Sequence, residues 1–590
     1  MKLLIIKKIR PPADGLWYMS YSADIKKIER HYFPKDFVIT TWEALEPYFQ
    51  ELLERHINSV AELEQWLKDV NETDAIANED ACWRQIKMTC DTENKQLEES
   101  FNFFYTEILP KMQPYADKLN RKLVDSPFTA QLNQEKYHTY LRSVKKNIEL
   151  FREKNIPLQS ELAVLQQHFG TIAGKMTVTV NGQEYTLQQA SKFLENEDRK
   201  LREEVYRKIF ERRLQDKEAM NELFDKLIDK RNQLAVNADL PSYTAYRFKE
   251  LGRFDYTEKE CFQFHEAVKE YVLPLVNKIY ENKKTKLGVD TLRPWDIEAH
   301  PAGEKPLNPF VSGKELLTKT ISCFNQLNPF FGDCINKMDK MGHLDLESRK
   351  GKAPGGYNCP LAESGAPFIF MNAAGQMDDV TTMVHEGGHA VHSFLTHTLE
   401  LNAFKDYPME IAEVASMSME LFSMPYWSTF FDSKEDLQRA KEHQLERVIT
   451  IFPWIATIDK FQHWLYANPK HTEEERTTKW VEILTEFSSG AVDYSGLETY
   501  RAITWQKQLH LFEVPFYYIE YGIAQLGAIG MWKQFMENKE KALTNYINAL
   551  SLGGTKTLVQ LFETAGLKFD FSPAYIKSLM EFVHQRMEEL

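Results

Sequence analysis

DDVTTMVHEGGHAVHSFL, residues 378–395, holds His385, Glu386 and His389 in the pattern H-E-x-x-H. On an α-helix, residues four apart lie one above the other on the same face, so both imidazoles reach one cation. Four residues rise about 6 Å, a gap that two metal–nitrogen bonds of about 2 Å close with tetrahedral geometry. Glu386, one position round, borders the open coordination position, where a zinc hydrolase needs its general base. Met383, Val384, Ala390, Val391 and Leu395 make the helix apolar and predict its burial. Asp378 or Asp379 is expected to cap its N-terminus. A buried His-Glu-His face without a metal leaves unpaired polar groups and a desolvated charge. The competing reading is a surface helix carrying two ordinary histidines.

The rest of the chain sets the frame. Its 590 residues are 43% hydrophobic and 27% charged, ordinary for a globular protein. A net charge of −14 with both signs interspersed argues against nucleic-acid or anionic-membrane partners. The basic runs at 7–10 and 278–286 read as solvated faces. The opening MKLLIIKKIRPPADG has too short an apolar stretch for a secretory signal or a membrane span, and the expected compartment is the cytoplasm. Six scattered cysteines form no C-x-x-C pair and suggest neither a disulfide framework nor a thiolate zinc site.

From about Thr41 to Glu161 apolar residues recur at three and four, the mark of successive amphipathic helices. MTVTVNGQEYTL, from Met176 to Leu187, alternates on both sides of Asn181-Gly182 and predicts a hairpin. A long charged helix pattern fills 188–235, and Thr257 to Glu260 is a capping box opening a helix through about Lys283. The Pro- and Gly-rich passage that follows is the best boundary before a catalytic region. These features divide the chain into an N-terminal helical region (1–170), a helical region with the hairpin near 176–187 (171–300) and a catalytic region (301–590). PFIFMN, 367–372, predicts a strand running into the loop ahead of the H-E-x-x-H helix. As an edge strand it would hold an extended peptide by backbone hydrogen bonds, and Gly355 and Gly356 would let a nearby loop approach that peptide. After the motif the chain reads as helical almost to its end, with starts at Ser433 and Thr472.

Two histidines need a third protein ligand, with the fourth position left to water. YPMEIAEVASMSMELF, Tyr407 to Phe422, offers Glu410, Glu413 and Glu420. One can bind metal while another orients a histidine; the alternative is an amphipathic helix with solvent-facing glutamates. His392 lies about 10 Å along the helix from His385, out of reach of the same metal, and reads as a core or orienting histidine. In HLFEVPFYYIEYGIAQLGA, 510–528, His510, Tyr517, Tyr518 and Tyr521 are either core fillers or donors to a tetrahedral oxyanion, each such donor being worth roughly 100- to 1000-fold in rate.

HEGGHAVHSF, EIAEVASMSMEL and HLFEVPFYYIEYGIAQLGA, with DLESRKGKAPGGY and PFIFMNAAG ahead of them, resemble the oligoendopeptidase F branch of the thimet oligopeptidase family of zinc metallopeptidases. The resemblance runs from about Phe101 to the C-terminus. It implies that His385, His389 and Glu413 hold one Zn2+, that Glu386 is the general base, and that His510, Tyr518 and Tyr521 stand at the substrate and oxyanion, with Tyr517 beside the substrate. The implied fold is mainly α, a large multi-helical zinc peptidase with a deep substrate channel and a small β element beside the active-site helix, and Phe370, Gly355 and Gly356 are expected to bind the substrate. The expected activity is endopeptidase cleavage of short oligopeptides. The rivals are a metallocarboxypeptidase on a similar scaffold and a non-catalytic peptide-binding protein with a vestigial metal site.

Overall fold

The computed structural model describes residues 28–349, 351–353 and 355–590; the basic run at 7–10 lies outside them. Among the described residues the chain forms 24 α-helices and five short strands. The N-terminal helices, including Trp42–Glu54, α1 (Val60–Cys90) and Gln134–Leu150, begin at side-chain caps on Thr41, Ser59 and Asn133. Their apolar stripes meet in a core of their own around Leu45, Phe49, Leu63, Trp66 and Leu119. From Leu150 to Val583 one larger continuous core runs through the rest of the molecule.

The hairpin pairs β1 (Thr177–Val180) with β2 (Gln183–Thr186) in the expected register, closed by Asn181 and Gly182 at φ 51° and 78°. Its Val178 and Val180 pack on Val205 and Ile209. The charged stretch at 188–235 divides into helices Arg199–Gln215 and Lys217–Asn237, each burying one face. The Thr257 capping box is present and opens α2 (Glu258–Ala267). That helix continues through a π-turn, Val268–Val272, into Leu273–Leu287. Pro274 lacks an N–H and its ring would strike the carbonyl four residues back; the wider turn relieves both. A second π-turn, Phe104–Ile108, precedes Pro110 in the same way.

The second sheet corrects the expected edge strand. β3 (Leu344–Glu347), β4 (Tyr357–Cys359) and β5 (Phe368–Ala373) lie in the order β3-β5-β4, with β3 parallel and β4 antiparallel to β5. PFIFMN therefore forms the central strand. Its apolar side chains point both ways, as a strand covered on two faces requires: Phe368 and Phe370 meet Ile86 of α1, while Ile369 and Met371 join the large core. Phe370 is fully buried, stacked on the Tyr357 ring at 4.8 Å, and is a core residue rather than a substrate contact. The strands at the edges are β3 and β4.

Three helices fix the site: α3 (Met377–Thr396), α4 (Met409–Ser423) and α6 (Tyr518–Glu537), with α5 (Lys434–Ala467) packed against α6. The N-cap of α3 is Gln376 rather than Asp378 or Asp379; Asp379 sits in the first turn and accepts from the backbone N–H groups of Gln376 and Ala374 at 2.8 and 2.7 Å. Every residue of α4 from Glu410 on is buried, because α3 and α6 close over it. Two glycines permit this approach. A Cβ on Gly388 would stand 2.6 Å from Ser416 Cα, and one on Gly527 would stand 2.7 Å from a Val414 methyl. A mid-helix glycine costs about 1 kcal/mol against alanine; here it brings the glutamates of α4 to the histidines of α3. No helix among the described residues is long and apolar enough to cross a membrane.

Candidate active site

His385 and His389 project from α3 with ring centroids 5.0 Å apart. Glu413 Oε2, from α4, lies 3.3 Å from His385 Nε2 and 3.6 Å from His389 Nε2. Two donors on one tetrahedral ion with bonds of about 2 Å stand about 3.3 Å apart, so the three side chains are spaced as a ligand set. Glu413 is sealed in, while His385 and His389 keep 20% and 16% of their side-chain surface open on the other side.

His385 and Glu413 are held by further contacts. Glu420 Oε1 accepts from His385 Nδ1 at 2.7 Å, which turns Nε2 toward Glu413. Glu420 Oε2 accepts from Gln444 Nε2 at 2.7 Å. Glu413 accepts from Tyr517 Oη at 2.7 Å and from Ser416 Oγ at 2.9 Å. The third glutamate, Glu410, points elsewhere and accepts from Tyr256 Oη at 2.7 Å. Of the three glutamates, then, Glu413 converges with the histidines, Glu420 orients one of them, and Glu410 does neither.

The electrostatics show a site that calls for positive charge. Burial would raise the Glu413 carboxyl, but the His389 and His385 imidazoles and the Tyr517 hydroxyl bring it down to about 2. Burial holds His389 at about 4. Burial disfavours a charged His385 as well, yet its bonds to Glu413 and Glu420 outweigh that and raise it well above the usual histidine range. A proton on His385 thus supplies the charge that a cation would otherwise supply. Glu386, beside this group, is driven up to about 7 by burial, and its Oε2 has no hydrogen-bond partner. A buried carboxylate oxygen without a donor, next to three convergent ligand atoms, fits a divalent metal with a water at its open position.

Across the site, His510 Nδ1 lies 2.7 Å from Gln508 Nε2; the amide donates, so the proton is on His510 Nε2. Burial keeps this imidazole neutral, at about 4. Tyr521 Oη is 3.4 Å from His510 Nε2, and its phenol is raised by burial and then by the Glu413 charge, with Glu386 also contributing. Tyr518 packs edge-on against His510 at 4.9 Å, and its hydroxyl is turned to Trp454 and Gln508. Tyr517, expected beside the substrate, instead commits its hydroxyl to Glu413. Phe516, directly before it, has φ 65°, a conformation a bulky residue holds only when its surroundings enforce it. Arg253 donates to its carbonyl and Gln462 accepts from its N–H.

On the side of the sheet, Asn358 of β4 donates to the Glu386 carbonyl at 3.3 Å, tying this edge strand to α3. Gly355 has φ 97°, and a Cβ on Gly356 would stand 3.4 Å from the Phe370 carbonyl. His392 is buried and stacked on Tyr407 at 3.6 Å, a core histidine. Gln444 and Gln508 escaped the sequence reading, since an orienting glutamine has no spacing rule of its own.

The sequence profile described as Peptidase family M3 matches residues 192–581, which include His385, Glu386, His389, Glu413 and the 510–528 segment. The profile of the Peptidase M3 N-terminal domain matches residues 35–151, the span of the smaller core. An oligoendopeptidase F homolog of Borreliella burgdorferi is 23% identical over 572 residues, 93% of this chain and 92% of that protein. Oligopeptidase PepF of Bacillus subtilis is 22% identical over 411 residues, 68% of this chain and 58% of that protein. The solved structure of PZ peptidase A with an inhibitor matches with a TM-score of 0.88 at 26% identity, covering 93% of this chain and 97% of that one.

Proposed function

The chain belongs to peptidase family M3 and is a metallo-oligopeptidase; within that family we propose that it is an endopeptidase with one catalytic zinc that cuts internal bonds of short oligopeptides, with Glu386 as general base. The observation that carries this reading is the convergence of His385, His389 and Glu413 beside the unpartnered Glu386 Oε2. When bound there, zinc lowers the pKa of a water and polarises the scissile carbonyl. His385 and His389 offer Nε2 and Glu413 offers Oε2, with Glu420 and Tyr517 fixing their orientation.

Glu386 takes the proton of the attacking water and returns it to the leaving amine nitrogen. Both transfers need one mobile, desolvated carboxylate, and a group near pKa 7 without a fixed hydrogen bond is suited to that exchange. Tyr521 Oη and the His510 Nε2 proton donate to the oxyanion of the tetrahedral intermediate, while Tyr518 supports His510 from its ring edge. β4, rather than β5, holds the peptide extended, and the absence of side chains at Gly355 and Gly356 leaves its backbone approachable.

The separate core of the N-terminal helices supports reading the first part of the chain as a unit of its own, while the large core draws on both 171–300 and 301–590. An internally quenched peptide blocked at both ends tests the reading. Internal cleavage that stops with chelator and returns with Zn2+ is expected. Release of single C-terminal residues only from unblocked peptides would favour the carboxypeptidase, and metal binding without cleavage would favour a peptide-binding protein.

A further inference from the structure

A second cluster of metal-ligating side chains lies where α2 packs on α5. Cys261 and His265 are four residues apart on α2, and Asp459 and His463 are four apart on α5. The nearest ligand atoms of Cys261, Asp459 and His463 all lie within 4.8 Å of one another. His463 Nε2 is 3.3 Å from Asp459 Oδ2, about the separation of two donors on a tetrahedral ion. His265 Nε2 is 2.9 Å from the same oxygen. All four residues are buried, Asp459 completely and His463 with 6% exposed.

As a network of hydrogen bonds alone, the cluster is incomplete. Asp459 Oδ1 is buried and lacks a hydrogen-bond partner, and His463 Nε2 is buried with only the long 3.3 Å approach to Asp459 Oδ2. Leaving such groups unsatisfied costs roughly 1–3 kcal/mol each, more where charge is involved. The outer contacts also have the form found around bound metals. Glu258 Oε2 stands 3.2 Å from His463 Nδ1, which turns the Nε2 lone pair inward, and His265 steadies the Asp459 carboxylate. Phe262 and Phe516 pack on the His463 ring at 4.8 and 5.1 Å.

We propose that Cys261, Asp459 and His463 hold a second divalent metal of the zinc class, with the fourth position left to water. One thiolate, imidazole nitrogen and one carboxylate suit Zn2+ or Co2+ and not Mg2+ or Ca2+. Binding releases the Cys261 thiol proton and any proton on His463 Nε2, and a dication with thiolate and carboxylate leaves the buried cluster neutral. The role is structural. The metal would clamp α2 to α5 directly beneath Phe516, the strained corner whose N–H is held by Gln462, the residue before His463. That corner sets Tyr517 and the start of α6, so the clamp braces the tyrosine side of the active site.

The full-length protein, stripped of metal and dialysed against Co2+, tests this through a readout independent of catalysis. The active site contains no thiolate, so a cysteinate-to-cobalt charge-transfer band reports the second cluster alone. The expected result is two equivalents of Co2+ per chain with that band present. Cys261→Ser should lose the band and one equivalent while the active-site equivalent stays bound, and a His385→Ala/His389→Ala double variant should lose the other equivalent while keeping the band. The double variant decides the matter even if Cys261→Ser does not fold. One equivalent without the band in the wild-type protein, or no bound Co2+ in the double variant, would overturn the proposal and leave the cluster as a histidine–carboxylate network.

Discussion

The two ligand clusters of this molecule use the same parts in different settings. Each takes two side chains four residues apart on one helix and completes the set from a second helix packed against it. At His385, His389 and Glu413 one side stays open, and a carboxylate oxygen without a partner, Glu386 Oε2, borders that opening. At Cys261, Asp459 and His463 aromatic rings close the site, and the nearby Glu258 is engaged with His463 Nδ1. Convergent ligands make a metal site; an open position and a base in reach of it make a catalytic one. Tyr521 and His510 on the open side have no counterpart at the closed one.

The severest break in this comparison is His385→Ala. Peptidase activity should fall to background and the active-site metal should be lost, with metal analysis and peptide cleavage measured on the same sample. Next comes Tyr521→Phe, which removes a donor but no ligand; kcat should fall about 100- to 1000-fold with metal content unchanged. Should the loss be below about tenfold, His510 is the principal donor. Glu420→Ala acts one step further out, through His385 Nδ1, and should weaken zinc affinity about 10- to 100-fold in a competition titration with a chelator.

The smallest effect on chemistry, though a clear one on stability, is expected from Gly388→Ala. Its new methyl meets Ser416 Cα and the Ala415 carbonyl, backbone atoms that cannot turn aside. Overpacking of this kind destabilises by about 1–3 kcal/mol, and a lowered Tm should be accompanied by weaker zinc binding as α3 and α4 separate. An unchanged Tm would mean that the two helices are not held at the distance the glycine allows.

The reach of the sequence varied with the range of the signal. His385, Glu386 and His389 were legible because one helix period relates them, and the hairpin because Asn181-Gly182 fixes its turn by local backbone preference. Choosing Glu413 over Glu410 and Glu420 by residue pattern alone was out of reach: all three lie buried on one helix, and only the packing of α3 and α6 around it separates their roles. PFIFMN was read as an edge strand, although apolar side chains at every position suit a strand covered on both faces. Cys261 and Asp459 lie on distant segments, so their cluster left no pattern, and cysteine spacing pointed away from a thiolate site. Tyr517 looked like its neighbours until the Phe516 corner turned its hydroxyl to Glu413.

Glu386→Gln, with zinc content and kcat/KM on an end-blocked, internally quenched peptide measured on the same preparation, tests the central claim most directly. The amide keeps the size of the side chain but cannot take a proton, so the account predicts a full complement of active-site zinc and a loss of about 10²- to 10⁴-fold in kcat/KM. Cleavage close to the wild-type rate with zinc in place would contradict it.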